Sequence, residues 1–355
     1  MFKPLTFVSL FALPLIWTSC ETDFSLNGPY ETTPIVFGLL DHRSDVHIIK
    51  ITKAFLGDGD NLEYAQNPDS NYFVSVQARV VEYKSGDKTG REWTLEDSII
   101  SGKDQTGIFY APDQKVYYFL ESDLDSSAQY ELIAYFNEST TDSITAMTDL
   151  IEGFSLSSAL FFPTYKVNFA KNTVQDDGDY TAWTFQLNEG KHGKRYNFEY
   201  TLNWTEYYSD LTSQNFSLTR NNGDQFQVDP DKPSSQTASF SGLDFYNWIN
   251  DNISNDPNVI QRKINGINLQ VSVSNENLNQ YMEIAEPVSG IAQVQPEYTN
   301  IKGGLGLFSS RIVLKVNGLR LDKSSMKELC IGSYTASKLF CSSFIEDAAE
   351  TYYCP

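Results

Sequence analysis

The chain has 355 residues, of which 46 are Asp or Glu and 26 are Lys or Arg, so its formal net charge at pH 7 is −20. A field of this sign repels phosphate backbones and anionic lipid surfaces, which excludes nucleic acid as an expected partner. The length is enough for two domains, and the 21 Tyr and 23 Phe residues favour pleated sheets over helices.

The first residues have the pattern of a secretory signal peptide. Lys3 precedes an apolar run from Leu5 to Ile16, and the small residue Ser19 leads into Cys20. The apolar run is too short to span a bilayer as a mature helix. We therefore expect a peptidase to remove residues 1–19 and to leave Cys20 as a new N-terminus that carries lipid, with palmitate among its acyl chains.

A departure from the usual lipoprotein pattern leaves a second interpretation open. Lipoprotein signals usually have Leu three positions before the cysteine, where this chain has Trp17. The alternative is a secretory signal that is cut elsewhere and leaves Cys20 in a soluble exported protein. Under the first interpretation, residues 20–33 form the lipid anchor and a flexible tether, because this polar segment contains Gly28 and Pro29.

Residues 34–149 predict an immunoglobulin-like β-sandwich. Short apolar runs follow one another at regular intervals, with Gly, Asp and Pro between them, and residues 74–80 alternate as in a strand with one buried face. The other runs that predict strands are 35–40, 46–54, 116–120, 128–136 and 143–148. The first two of these runs flank a short polar turn, which predicts a hairpin.

Residues 150–355 predict a β-rich α+β domain with a cysteine-containing C-terminal tail. Residues 183–187 and 196–204 alternate between apolar and polar, and we expect them to form one long antiparallel hairpin through residues 188–191. Further strands are predicted at 267–273 and 311–321, and short helices at 245–253, 275–284 and 324–329. The predicted class of the whole chain is mostly β, with antiparallel sheets that carry a few short helices.

Three cysteines lie near the C-terminus, and they are Cys330, Cys341 and Cys354. An envelope location permits a disulfide, and three thiols allow one intramolecular bridge and leave one cysteine over. The sequence does not select which two of them pair. Their spacing lacks the close pairs of a zinc site.

The sequence contains no evident catalytic motif. None of the three histidines belongs to an HExxH arrangement, and the chain lacks a nucleophile elbow, a dinucleotide-binding loop and a P-loop. Asp58, Asp60 and Glu63 form an oxygen-rich cluster in a glycine-containing turn, which makes them weak candidates for a calcium site, although a solvated turn is the simpler interpretation. We therefore expect neither enzymatic activity nor a cofactor.

Aromatic residues close the strongest predicted strand. Trp204, Tyr207 and Tyr208 are candidates for stacking against a sugar ring or a peptide at the end of the sheet. Packing in the core or at its rim is the alternative role for these side chains.

The order of these features resembles a family of uncharacterised Bacteroidota outer-membrane lipoproteins. The resemblance rests on the acidic start at 20–23, the strand segment 46–57, the segment 107–110 and the glycine-rich segment 300–310. It implies an outer-membrane lipoprotein with an immunoglobulin-like N-terminal domain, from a lineage whose lipoproteins often partner nutrient importers. It supplies no catalytic residue.

Together these features predict a lipid-anchored binding protein of the outer membrane, on its periplasmic or its cell-surface face. The expected partners are the membrane, through Cys20, and a TonB-dependent transporter or another envelope protein, with a glycan or a peptide as ligand. A structural or adhesive envelope protein is the alternative. A glycosidase that uses two carboxylates is a third hypothesis.

Overall fold

The computed structural model describes residues 32–54, 61–103, 113–139, 141–172, 179–285 and 297–354. The predicted class is confirmed, because the chain is mostly β, with several antiparallel sheets and short helices. The strands up to residue 150 are β1 (Pro34–Leu40), β2 (Val46–Lys53), β3 (Val76–Lys84), β4 (Asp87–Thr94), β5 (Glu96–Ile100), β6 (Gln114–Leu120), β7 (Gln129–Phe136) and β8 (Ser143–Asp149). Two short helices, α1 (Asn61–Ala65) and α2 (Pro68–Asn71), lie between β2 and β3.

The second part of the chain contains the longest strands. Its strands are β9 (Ser155–Leu156), β10 (Lys166–Val167), β11 (Ala170–Asn172), β12 (Asp179–Tyr180), β13 (Ala182–Asn188), β14 (Gly193–Tyr208), β15 (Ser213–Phe226), β16 (Ser235–Ser241), β17 (Val259–Asn275), β18 (Leu305–Leu321) and β19 (Phe340–Cys341). Its helices are α3 (Gly242–Asn252), α4 (Glu276–Ala285) and α5 (Lys323–Ile331), with 3-10 turns at Ser158–Phe161, Ala336–Lys338 and Ile345–Asp347.

Two sheets enclose the core of the first part. One has the order β4–β3–β7–β8, and the other is one end of a ten-stranded sheet, with the order β18–β1–β2–β6–β5. The predicted hairpin of β1 and β2 is confirmed by their antiparallel pairing. Ile301 and Phe308 join the same hydrophobic cluster as Val36 and Ile49, so a late segment of the chain completes this core. The domain limit near Asp149 stays a prediction.

β18 connects the two parts of the molecule. Its residues 305–310 pair in parallel with β1, and its residues 311–319 pair antiparallel with β17. Gly306 has a φ of 106°, and a Cβ at this position would collide with the carbonyl oxygen of Val36. Glycine therefore allows the close approach of β18 to β1.

The predicted hairpin of residues 183–204 is wrong. β13 pairs with β16 and β9, whereas β14 pairs with β15 and β17, so the two strands belong to different sheets. The chain turns between them at His192, whose φ is 64°. Alternation indicates which residues face the core, but it does not indicate which strand lies beside them.

The second core lies between the long strands and the small sheet β16–β13–β9, and it is rich in aromatic rings. Trp183, Phe198 and Phe240 are buried there. α3 closes this core, since the ring of Phe245 stacks on that of Phe169 with centroids 4.1 Å apart. α3 follows Ser241, whose Oγ accepts a hydrogen bond from the N–H of Asp244 and so caps the first turn.

Candidate binding site

The outer face of β1 and β2 carries apolar side chains in exposed positions. Phe37 on β1 is 39% exposed, and Val46 and Ile48 on β2 are 46% and 44% exposed. The alternate residues of the same strands, such as Val36 and Ile49, are fully buried in the first core. β1 and the first half of the outer face of β2 therefore carry apolar side chains opposite the core, which is typical of strands that are covered on both sides.

α4 covers one side of this outer face. The helix begins directly after Asn275, the last residue of β17. The side chain of Asn275 accepts a hydrogen bond from the N–H of Leu278 (3.2 Å) and so caps the first turn of the helix. Leu278 and Tyr281 are three positions apart and share one face of the helix. The ring of Tyr281 meets the ring of Phe37 edge to face, with centroids 5.6 Å apart.

Between α4 and the strands lies a depression that we call the apolar groove. It consists of two adjoining hollows, both bordered by Phe37 and Tyr281, with volumes of about 250 Å³ and about 460 Å³. The first hollow is lined by Ile35, Phe37, Tyr281, Ile284, Ala285, Glu297, Tyr298, Leu305 and Gly306. The second hollow is lined by Phe37, Leu39, Val46, Ile48, Leu278, Tyr281, Leu307 and Arg311.

The charged residues in this lining stand at opposite ends of the groove. Glu297 borders the first hollow, and Arg311, which is exposed, borders the second. Within the described ranges, Arg311 forms no ion pair. Lys50 also lies on the outer face of β2, opposite Phe37, where burial lowers the pKa of its ammonium group and Lys103 lowers it further.

The sequence pattern did not identify these residues as a site. One signal was present, because Ile35, Phe37 and Leu39 alternate with core residues of β1 and are themselves apolar. A solvated antiparallel strand would have polar residues at those positions.

The structure contradicts the predicted ligand-stacking role of Trp204. This side chain is 4% exposed, and its ring stacks on Phe216 in the second core. Its Nε1–H donates a hydrogen bond to Glu206, and the hydroxyl of Tyr208 donates to the same carboxylate at 2.9 Å. Tyr207 is half-buried and has the opposite orientation in β14, so it stays a candidate for contact with a ligand.

Glu206, which lies between the predicted ligand-contacting residues Trp204 and Tyr208, belongs to a buried ion pair. The Nε–H of Arg262 donates to its carboxylate at 2.7 Å, and the other guanidinium N–H groups donate to the carbonyls of Lys338 (2.6 Å) and Ser254 (3.0 Å). Burial alone would raise the pKa of Glu206, but hydrogen bonds from Arg262 and two aromatic side chains outweigh it and leave that pKa lowered. These contacts join β14, β17 and the C-terminal segment, which is a structural role.

The C-terminal cysteines form one bridge. Cys341 and Cys354 are joined by a disulfide, and Cys330 is a buried free thiol whose pKa is raised by burial. The sequence left open which two of the three cysteines pair, and the structure shows the pair Cys341–Cys354.

Several predicted features lie outside the described residues. They are the signal peptide, Cys20, Asp58 and Asp60. Glu63, the remaining metal candidate, is exposed on α1. Over the ranges that the structure describes, no group of three His, Cys, Asp or Glu residues is placed to hold a metal ion. In the same ranges, no helix has the length and apolar character needed to cross a bilayer.

Comparison with known proteins gives no assignment. No protein-family model matches the chain. A search of the curated proteins also finds no significant match.

Proposed function

We propose that this protein is a lipid-anchored binding protein of the cell envelope, and that it acts as an accessory lipoprotein of an outer-membrane complex. The observation that carries the proposal is the apolar groove. Ligand sites are concave and mostly apolar, with a few polar groups that orient the ligand, and contiguous exposed apolar surface marks interaction sites. The two hollows, with Glu297 and Arg311 at their ends, have this character.

The proposed lipid on Cys20 keeps the groove near the membrane. From Cys20 to Thr32, where the described chain begins, a fully extended chain reaches about 40 Å at most. β1 begins two residues later, and its Ile35 already lines the first hollow. The proposed location is the outer membrane, on its periplasmic or cell-surface face, in the family of Bacteroidota lipoproteins that the sequence resembles.

A structural or adhesive envelope protein is the second candidate, and one observation favours it. β15 is an end strand of the ten-stranded sheet and is largely exposed along its 14 residues. A long edge strand offers unpaired backbone groups to a neighbouring chain. We favour the binding role because the groove, unlike an edge, combines a concave apolar surface with a charged residue at each end.

The experiment that tests the proposal is a pull-down of the tagged protein from its native membrane in gentle detergent. A Cys20→Ala variant, verified as folded by circular dichroism, is the control. We expect the native protein to partition with the outer membrane and to co-purify with a TonB-dependent transporter or another envelope protein, and the variant to lose both properties. Recovery of the native protein alone, from the soluble fraction, would contradict the proposal.

A further inference from the structure

We propose that the apolar groove binds the hydrocarbon chain of a single-chain amphiphile with an anionic head, such as a long-chain carboxylate, and that the head lies at Arg311. The inference rests on the proposed function only in treating the groove as a binding surface. It requires neither the lipid anchor nor a partner protein.

The polarity of the groove favours a hydrocarbon chain over an extended peptide. β1, which forms its floor, is paired with β18 on one side and with β2 on the other, so its backbone groups are engaged within the sheet. An extended peptide must find partners for its own N–H and C=O groups, usually at a free strand edge. The middle of the groove is formed by Phe37, Tyr281 and Leu307 and has no such edge. A hydrocarbon chain needs no hydrogen bonds.

The length of the groove suits an acyl chain. Leu305 and Arg311, which border the two hollows, are six positions apart on β18, or about 20 Å at 3.3 Å per residue. The acyl chains of one leaflet cover about 15 Å, half of the hydrocarbon core of a bilayer. A chain of this length therefore extends through both hollows when its head is at one end.

The charges determine the orientation of the ligand. Arg311 is exposed at the second hollow and has no ion-pair partner in the described part of the chain, so its guanidinium is available for two parallel hydrogen bonds to a carboxylate. Lys50, opposite Phe37 in the middle of the groove, favours neither end. Glu297 lies at the first hollow and repels an anionic head from that end.

The test uses the mature chain, residues 20–355 with Cys20→Ala, after removal of bound lipid. Dodecanoate, dodecanol and dodecyltrimethylammonium, all below their micellar concentrations, are titrated against a fluorescent long-chain carboxylate that reports occupancy. We expect saturable one-to-one displacement by dodecanoate, with at least about tenfold weaker displacement by the other two, because only the carboxylate engages Arg311. Decanoate is shorter by two methylenes and should bind up to about sixteenfold more weakly than dodecanoate, since each fully buried methylene contributes about fourfold.

Variants separate the head site from the chain site. Arg311→Gln should weaken the binding of dodecanoate about tenfold and leave the binding of dodecanol unchanged. Lys315 is an exposed cation on the same strand, and Lys315→Gln should change the affinity for neither ligand. Ile48→Asp should weaken the binding of both ligands. Ile99 lies on β5 and is 65% exposed, and Ile99→Asp should weaken the binding of neither. Arg311 is exposed, so its variant keeps the fold even if Ile48→Asp does not.

Absence of saturable binding, or equal binding of the three head groups, would overturn the inference. Binding of dodecanoate that is unchanged in Arg311→Gln would do the same. Because the purified chain carries no anchor and no partner, these outcomes are independent of the pull-down. Failure of the pull-down would contradict the accessory role and leave the ligand test intact.

Discussion

The ring of Phe37 on β1 packs edge to face against the ring of Tyr281 on α4, with centroids 5.6 Å apart. Phe37 belongs to the strand at which the described chain begins, whereas Tyr281 belongs to the helix that follows β17. One contact therefore joins two distant parts of the sequence and also borders both hollows of the apolar groove.

Replacing Phe37 with Ala should remove this contact and enlarge both hollows, since Phe37 borders each of them. We expect a loss of about 1–2 kcal/mol in the free energy of unfolding, less than for a fully buried Phe, because the side chain is 39% exposed. Urea denaturation measures the loss. Phe161→Ala is the matched control, since Phe161 is 54% exposed and lies outside the groove. Equal losses in the two variants would show that the contact with Tyr281 contributes nothing.

Glu206→Gln should destabilise the second core strongly. Arg262, which is 2% exposed, would lose the carboxylate it pairs with in the described part of the chain and remain as a buried charge, at a cost of about 3–5 kcal/mol. Glu199→Gln, on the outward face of the same strand, should change the free energy of unfolding by less than about 0.5 kcal/mol. Chemical denaturation of both variants tests the contribution of the Glu206–Arg262 ion pair to stability. Similar denaturation midpoints for the two variants would contradict the structural role of the ion pair.

Acid should destabilise the protein through its paired carboxylates. A hydrogen bond from Lys166 lowers the pKa of Glu346 to about 2, and one from Lys84 lowers the pKa of Asp125 to about 2. A carboxyl with a lowered pKa binds fewer protons in the folded state, so its stabilisation is present above its unfolded pKa, near 4, and is lost as the pH falls. Glu328 acts in the opposite direction, because burial raises its pKa.

We therefore expect the free energy of unfolding to fall between about pH 4.5 and pH 2, with the paired carboxylates outweighing Glu328. Urea denaturation over this range measures the slope. Glu346→Gln should reduce the slope, although by little, because this ion pair is partly exposed. A free energy that rises on acidification would show that the pairs do not govern the acid response.

The disulfide should stabilise the C-terminal segment. Cys341 and Cys354 are 13 positions apart, and closing a loop of this size stabilises the folded state by about 3 kcal/mol. Reduction, or the double change Cys341→Ala and Cys354→Ala, should lower the denaturation midpoint accordingly. In the Cys20→Ala chain, we expect no reactive thiol in the native state and one, Cys330, after denaturation. Three reactive thiols without reductant would contradict the bridge.

Local features of the fold were predictable from the sequence, and long-range features were not. The β1–β2 hairpin and the helix predicted at 245–253 depend on neighbouring residues, and both are present, the helix as α3. The partner of β14 depends on residues far along the chain, so alternation gave its buried face but not its neighbours.

The candidate site shows the same division. The aromatic residues after position 203 suggested a ligand platform, but Trp204 faces the core together with Glu206, and only the pairing with β17 brings Arg262 to that carboxylate. The apolar groove depends on the contact between Tyr281 of α4 and Phe37 of β1, segments more than 200 positions apart, which strand periodicity does not reveal.

The measurement that tests the central claim most directly is site-specific photo-crosslinking in intact cells. A photoreactive residue replaces Ile48 in the groove in one variant and Ile99 on β5 in the other, since both side chains are exposed in the structure. If the apolar groove is the binding surface, the residue at position 48 forms a defined adduct in the membrane fraction and the residue at position 99 does not. No adduct at position 48, or equal adducts at both positions, would contradict the account.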